Sequence, residues 1–185
     1  MNNSTPLLHY VRHYDLVTPP ALVESLMEWF HQGELLERKT LLYEFSEKEV
    51  NPQKDKALSD ALCKVVNHAL QRYVPDCGIS KEQWPTHYVL EGFRMKRYRG
   101  GNGKFDPHVD VTDKKTCSRF LVVMLYLSTR PDNCKGGSTM FADGLEIDPV
   151  ACRVALFPPL WPWLHAGGSP QGWDKYTIQT YLHYD

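Results

Sequence analysis

The chain has 185 residues, of which 42% are hydrophobic and 23% charged, an ordinary composition for a globular protein. Its formal net charge of −1 provides no overall positive field for a nucleic acid backbone. Five cysteines without a Cys-x-x-Cys pair are typical of a reduced compartment. The sequence shows neither a secretory leader nor an apolar run of about 18 residues. We therefore expect a single cytoplasmic domain over residues 1–185, with no nucleic acid or membrane partner and an oligomeric state that the sequence leaves open.

The first half of the chain predicts two amphipathic helices. Thr18, followed by two prolines, is typical of a helix N-cap, and apolar residues then recur at helical spacing. Gly33 is the expected stop of this first helix. Residues 35–50 are expected to form a loop with one short strand near residues 41–45.

The second helix is predicted more clearly than the first. Asn51 and Pro52 supply a cap and a proline suited to the first turn, and an apolar face then repeats until Pro75. Two amphipathic helices need an apolar surface to cover. We therefore predict that residues 18–75 form helical support for a sheet.

The second half of the chain has the character of a β-protein. Short segments rich in β-formers alternate with turns that contain Gly, Pro, Asp or Asn. Strands are predicted at residues 87–98, 118–128, 138–142, 152–157 and 176–183. This pattern predicts a mainly β fold, with a double-stranded β-helix (jelly-roll) core over residues 86–184 and the N-terminal helices packed on one sheet.

The His108-Val109-Asp110 triplet is the strongest candidate for chemistry. On a strand, residues two apart point to the same face, so the imidazole and the carboxylate could bind one metal ion. A second histidine would complete a 2-His-1-carboxylate triangle with open coordination positions. We select His165, because the small residues that follow it leave space around a metal.

Two other histidines are weaker candidates for the third ligand. His87 precedes the triplet on a different predicted strand, and His183 lies near the C-terminus, where we expect it to be exposed. A jelly roll, by contrast, would bring His108, Asp110 and His165 to one mouth of the barrel.

The order of motifs in residues 94–184 resembles that of 2-oxoglutarate/Fe(II)-dependent dioxygenases, and within them the prolyl 4-hydroxylase-like group. A Tyr-Arg-Gly-Gly-Asn-Gly turn precedes the His-x-Asp triplet, and an apolar strand, Gly-Gly-Ser-Thr-Met-Phe, His165 and Lys175 follow it. The resemblance implies Fe(II) as the metal, 2-oxoglutarate as cosubstrate and dioxygen as oxidant, with ascorbate as a candidate reductant. It also implies that succinate and carbon dioxide are released.

The resemblance further implies that Lys175 binds the far (C5) carboxylate of 2-oxoglutarate. Strand alternation puts Lys175 on the same, more polar face as Tyr181, and a buried lysine needs an anionic partner. An exposed Lys175 is the alternative. By the same resemblance, Tyr126 would donate to the C5 carboxylate and Tyr98 would line the pocket; core packing is the alternative for both.

Three hypotheses for the function remain. The leading one is hydroxylation of a C–H bond in a prolyl residue of a peptide or protein. The second keeps the cofactors but takes a free amino acid or another small molecule, and the third is a non-enzymatic, cupin-like metal-binding module. Nucleic acid demethylation is disfavoured, because demethylases of the same superfamily carry paired arginines after the second histidine, and this chain has no arginine after Arg153.

Aromatic residues near His165 are a further hint of a peptide substrate, in addition to the motif order and Lys175. Trp161, Trp163 and Trp173 flank this segment, and aromatic rings suit the flat faces of proline. Packing of the helices on the sheet is the alternative role for these rings. Residues 99–106 and 111–117 are the loops expected to choose the substrate.

Overall fold

A computed structural model describes residues 7–185 of the chain. It contains two α-helices and twelve strands. The helices are α1 (Pro20–His31) and α2 (Lys56–Asp76). The strands are β1 (Arg12–Tyr14), β2 (Leu36–Lys39), β3 (Tyr43–Glu49), β4 (Tyr88–Leu90), β5 (Arg94–Tyr98), β6 (Lys104–His108), β7 (Arg119–Tyr126), β8 (Thr139–Phe141), β9 (Glu146–Ile147), β10 (Val154–Phe157), β11 (His165–Gly167) and β12 (Lys175–Tyr184).

The start of α1 differs from the prediction. The helix begins at Pro20, and the carbonyl of Pro19 accepts its first backbone hydrogen bond, from Leu22 at 3.0 Å. Thr18 is buried and does not cap the helix, so its predicted role was wrong. The physical reason is that the backbone N–H of Thr18 binds the carbonyl of Cys152, in the turn before β10, at 3.1 Å.

The start of α2 was also predicted too early. Asn51 does accept backbone hydrogen bonds through Oδ1, from Gln53 and Lys54 at 3.0 Å each, but these bonds close a separate turn. The helix itself begins at Lys56, with Asp55 in the N-cap position. The cap-like Asn-Pro pair therefore marks the turn before the helix.

Residues 35–50, predicted as a loop with one short strand near residues 41–45, form an antiparallel hairpin in which β3 overlaps the predicted strand and β2 was missed. β3 pairs with β5 through Ser46 and Arg97, and with β6 through Tyr43 and Phe105. Every residue of β2 is exposed, so the hydrophobic pattern gave no strand signal there. Pairing with distant strands, and not local periodicity, makes this segment extended.

The strands form one large antiparallel sheet that is nearly closed into a barrel, which confirms the jelly-roll prediction. β12 lies in its middle, with β4 and β5 along one side and β7 along the other. All five predicted strands of the second half are present, and the first of them is divided into β4 and β5. β6 was missed, and it includes part of the segment that was assigned to a substrate loop.

The helices cover one face of the sheet, as predicted. Leu26 and Phe30 of α1 and Leu62 of α2 join a core cluster with Ile178 and Leu182 of β12, and all five side chains are fully buried. Burial of this apolar surface holds the two layers together. Within the described part of the chain, the helices are too short or too polar to cross a membrane.

Candidate metal centre

Two antiparallel strands bring the predicted metal ligands together. His108 ends β6 and His165 begins β11, and the two residues are direct partners in the strand pairing. Asp110 follows β6 by two residues. One ligand atom from each of the three side chains lies within 4.8 Å of the others. The three residues therefore form one cluster, at the end of the barrel where the sequence motif suggested it.

Backbone carbonyls orient both imidazole rings. Nδ1 of His108 lies 2.8 Å from the carbonyl of Asp106, and Nδ1 of His165 lies 3.0 Å from the carbonyl of Trp163. A carbonyl can only accept, so each Nδ1 must carry the hydrogen. Each Nε2 then has a free lone pair, the state in which histidine binds a metal.

The two oxygens of Asp110 have different environments. Oδ1 accepts a hydrogen bond from the hydroxyl of Tyr181 at 2.6 Å. Oδ2 is buried and has no hydrogen-bond partner among residues 7–185, and it lies 3.4 Å from Nε2 of His165. An unpaired buried carboxylate oxygen is costly unless a cation binds it. This oxygen and the two Nε2 atoms thus fit a first-row divalent metal.

The surroundings keep His108 in the neutral form that a metal needs. Its ring stacks on Phe105 with a centroid separation of 3.6 Å. Burial, followed by the nearby His165, lowers the pKa of His108 to about 4. The imidazole is consequently uncharged at neutral pH, and protons compete little with a metal for its Nε2.

Lys175 lies in a narrow inner pocket behind the cluster. Its side chain is 2% exposed, and the pocket has a volume of about 30 Å3 that His108 and His165 also line. Burial lowers the pKa of Lys175 to about 7. No carboxylate of the described chain forms an ion pair with it, so this buried amine lacks the anionic partner that its charge requires.

Two tyrosine rings flank the amine of Lys175. The centroids of Tyr98 and Tyr126 lie 5.4 and 5.5 Å from its Nζ. Tyr98 lines the inner pocket together with Lys175. The hydroxyl of Tyr126 donates to Oγ1 of Thr139 at 2.7 Å, so Tyr126 already has a partner within the protein.

A hydrogen-bonded chain that sequence reasoning missed leads from Asp110 to a second buried lysine. Nε2 of Gln179 donates to the hydroxyl of Tyr181 at 2.7 Å, and Nζ of Lys96 donates to Oε1 of Gln179 at 3.2 Å. Alternation in β5 puts Lys96 on the same face as Tyr98. This alternation was the available signal for Lys96.

His183 is the histidine whose environment was mispredicted. It is only partly exposed, and its Nε2 lies 2.8 Å from Oε2 of Glu91. Its Nδ1 contacts Oγ of Ser118 at 2.9 Å. Glu91 follows β4 and Ser118 precedes β7, and both strands pair with β12. These contacts hold His183 in place although it is close to the C-terminus.

The three tryptophans line neither the inner pocket nor the outer cavity beside the triad. Trp161 is 80% exposed. The indole N–H of Trp163 donates to the carbonyl of Leu7, and that of Trp173 to the carbonyl of Lys135. The N–H groups of Trp163 and Trp173 thus fasten peripheral segments, and contact of the three rings with a peptide substrate stays a prediction.

The nearly closed antiparallel sheet is a jelly roll, and two imidazoles and a carboxylate lie at its mouth. This combination is typical of jelly-roll proteins that bind a single metal ion. Residues 93–183 match the family model of the 2OG-Fe(II) oxygenase superfamily, so this part of the chain is a 2OG-Fe(II) oxygenase domain. It is thus an oxidoreductase of the class that uses Fe(II), 2-oxoglutarate and dioxygen. A comparison with curated protein sequences gives no match.

Several solved prolyl hydroxylases share the fold. The viral collagen prolyl hydroxylase of Paramecium bursaria Chlorella virus-1, solved with 2-oxoglutarate, has a TM-score of 0.76 at 17% identity, over 95% of this chain and 97% of that chain. A Pseudomonas putida prolyl-4-hydroxylase has a TM-score of 0.71 at 19% identity, over 96% and 94%. A Trichoplax adhaerens prolyl hydroxylase, solved with a peptide fragment of hypoxia-inducible factor, has a TM-score of 0.74 at 12% identity, over 95% and 84%.

Proposed function

We propose that this protein hydroxylates a C–H bond of a prolyl residue in a peptide or protein, with release of succinate and carbon dioxide. The observation that carries the proposal is the convergence of three metal-type donors beside a buried lysine without an anion. The fold shared with prolyl hydroxylases, one of them solved with a peptide, favours a peptidyl substrate.

His108, Asp110 and His165 would hold the Fe(II). Their donors would be the two Nε2 atoms and Oδ2 of Asp110, because each histidine's Nδ1 and the Oδ1 of Asp110 already have hydrogen-bond partners. When bound with its cosubstrate, the iron supplies the oxidising power that C–H hydroxylation needs. The protein's part is to fix the ligands and to leave the remaining coordination positions open.

Lys175 would bind the C5 carboxylate of 2-oxoglutarate. A charge-assisted hydrogen bond in this buried pocket would offset the cost of burying both charges. The pocket of about 30 Å3 is small for a dicarboxylate, so we expect lining side chains such as Met124 to move when the cosubstrate binds. Tyr98 would form a wall of that pocket, while Tyr126 would reach the carboxylate only by turning its hydroxyl away from Thr139.

Turnover of 2-oxoglutarate tests the proposal directly. The purified protein is supplied with Fe(II), 2-oxoglutarate and ascorbate, with and without proline-containing peptides, and succinate is measured together with a +16 mass change on the peptide. We expect iron-dependent succinate formation that such a peptide stimulates, and an oxygen gained at proline. The reaction without ascorbate tests the predicted reductant.

The possible outcomes separate the hypotheses. Stimulation by free amino acids, while every proline peptide stays inert, would replace the peptidyl substrate with a small molecule. An absence of any iron-dependent succinate would argue against the oxygenase activity itself. Loss of the signal in His165→Ala would tie the activity to the cluster and not to contaminating iron.

A further inference from the structure

An outer cavity borders the His108–Asp110–His165 cluster, and Lys175 is not among the residues that line it. It has a volume of about 320 Å3 and is lined by His108 and Asp110. It is therefore the space from which a substrate would approach the metal. Four cationic side chains also line it: Arg38, Arg94, Lys96 and Arg119.

The three arginines of the outer cavity already have carboxylate partners. Arg38 pairs with Glu47 at 3.3 Å. Arg94 and Arg119 both pair with Glu91, and Arg119 does so through Nε and Nη2, each at 2.9 Å. Each arginine thus has a carboxylate partner within the protein, although Arg94 and Arg119 share one.

Lys96 is the exception among the four cations. It is 7% exposed, and its Nζ makes one side-chain hydrogen bond, to Oε1 of Gln179 at 3.2 Å. No carboxylate within residues 7–185 lies at ion-pair distance from it, although Glu47 and Asp110 line the same cavity and favour its charged form. The aromatic rings of Phe45 and Phe105 lie 4.8 and 5.5 Å from its Nζ. An ammonium has three donors, so at least two lack a strong acceptor.

A buried ammonium without an anion is costly, and this one faces a cavity large enough for a ligand. We propose that Lys96 binds a carboxylate of the substrate. The carboxylate is either an acidic side chain next to the target residue of a peptide or the α-carboxylate of a free amino acid. This inference rests on the proposed function and specifies the substrate class for the same site.

The cosubstrate is not the expected partner of Lys96. Lys175 and Tyr98 line the inner pocket, whereas Lys96 lines only the outer cavity. In the sheet, Lys96 pairs with Thr177 and Tyr98 pairs with Lys175, so the two lysines occupy successive levels of the barrel wall. Gln179 lines the inner pocket and touches Lys96, and it therefore separates two distinct anion sites.

Binding measurements with paired probes test this assignment. The first pair is a proline peptide with Glu on both sides of the proline and the same peptide with Gln; the second pair is L-proline and L-prolinamide. Dissociation constants are measured anaerobically by calorimetry on the full chain loaded with Mn(II) and 2-oxoglutarate, so turnover is not required. We expect the wild type to bind the carboxylate member of one pair about 10- to 150-fold more tightly. The pair that shows the preference identifies the source of the carboxylate.

Three variants assign the preference to Lys96. Lys96→Met should abolish the preference for the carboxylate probe and leave the dissociation constant of 2-oxoglutarate unchanged. Lys96→Arg keeps the charge and should retain part of the preference. The control is Lys39→Met, which removes a lysine that is exposed and paired with Glu44 outside the cavity. This control should behave as the wild type.

Several outcomes would overturn the inference. These are equal binding of acid and amide probes, no binding of either pair, or a preference that persists in Lys96→Met. Weaker binding of 2-oxoglutarate or of Mn(II) by Lys96→Met would instead assign the lysine to the cosubstrate or to the metal. A wild type that binds neither Mn(II) nor 2-oxoglutarate would refute the proposed function itself, a result that is distinct from the loss of acid selectivity.

Discussion

The hydroxyl of Tyr181 donates a hydrogen bond of 2.6 Å to Oδ1 of Asp110, while Oδ2 of the same carboxylate faces His165. Tyr181 is 5% exposed, and Arg119 stacks on its ring with 3.9 Å between Cζ and the centroid. Nη1 of Arg119 also donates to the backbone carbonyl of Asp110 at 3.1 Å. Tyr181 therefore holds the side chain of Asp110 in place, and Arg119 holds its backbone.

Tyr181→Phe should weaken metal binding. The substitution keeps the ring but removes the hydrogen bond that orients Asp110, and such outer contacts are typically worth about 10- to 100-fold in metal affinity. Titration with Co(II), followed by its visible absorption, measures the change. Tyr184→Phe is the matched control, because Tyr184 is 56% exposed. Equal Co(II) affinity in wild type and Tyr181→Phe would show that the hydrogen bond does not support the metal site.

Asp110→Ala should remove the stabilisation that a metal gives to the fold. A ligand at 100 times its dissociation constant stabilises the folded state by about 2.7 kcal/mol. We expect Mn(II) to raise the melting temperature of the wild type and to leave that of Asp110→Ala unchanged. Asp132→Ala, which alters an exposed carboxylate in the loop after β7, should respond as the wild type does. A metal-induced shift that survives in Asp110→Ala would indicate a different site.

Lys175→Met should weaken 2-oxoglutarate binding and spare metal binding. A buried charge-assisted contact contributes roughly 1.5–3 kcal/mol, which corresponds to about 10- to 150-fold in affinity. Calorimetry on the Mn(II)-loaded protein measures the affinity for 2-oxoglutarate in wild type and variant, and the Co(II) titration checks that the metal site is unchanged. An unchanged affinity for 2-oxoglutarate would exclude Lys175 from the cosubstrate pocket.

The affinity for 2-oxoglutarate should fall as the pH rises above 7. The pKa of Lys175 is lowered to about 7 in the free protein, so the amine loses its proton above that pH. Only the protonated amine attracts the carboxylate, and the affinity should drop by up to about tenfold per pH unit. Lys175→Arg should be nearly independent of pH over this range, because a guanidinium stays charged. An equally flat profile in the wild type would contradict this explanation.

Leu26→Ala should destabilise the sheet together with the helices. Leu26 is fully buried in the cluster that joins α1 to β12, and such truncations cost about 2–5 kcal/mol. We propose that residues 1–185 behave as one domain and unfold in one step. Denaturant unfolding followed by far-UV circular dichroism and by tryptophan fluorescence should give coincident transitions. Two separate transitions would show that the helical support and the jelly roll are independent units.

Features with a local signature could be predicted from the sequence. β7 is a long apolar run, and its buried residues made it recognisable without any partner strand. The His-x-Asp spacing likewise predicted two side chains on one face. β2 had no such signature, because it is exposed and its conformation depends on pairing with β3.

Contacts between distant strands explain most of what was missed at the site. The alternation of β12 predicted that Tyr181 faces inward, but its hydrogen bond to Asp110 joins residues 71 apart in sequence. Lys96 lies among the basic residues 94–99, and the pairing of β5 with both β3 and β12 buries it. Burial of a charge is a tertiary property, and charge patterning along one strand does not reveal it.

The position of β12 in the sheet also has a consequence for synthesis on the ribosome. β12 emerges after β4, β5 and β7, all of which pair with it. In a nascent chain that ends before Lys175, one edge each of β5 and β7 is therefore left open, and open edges favour association between chains. β6 and β11 are complete by that stage, so His108 and His165 can meet before Lys175 and Tyr181 have been translated.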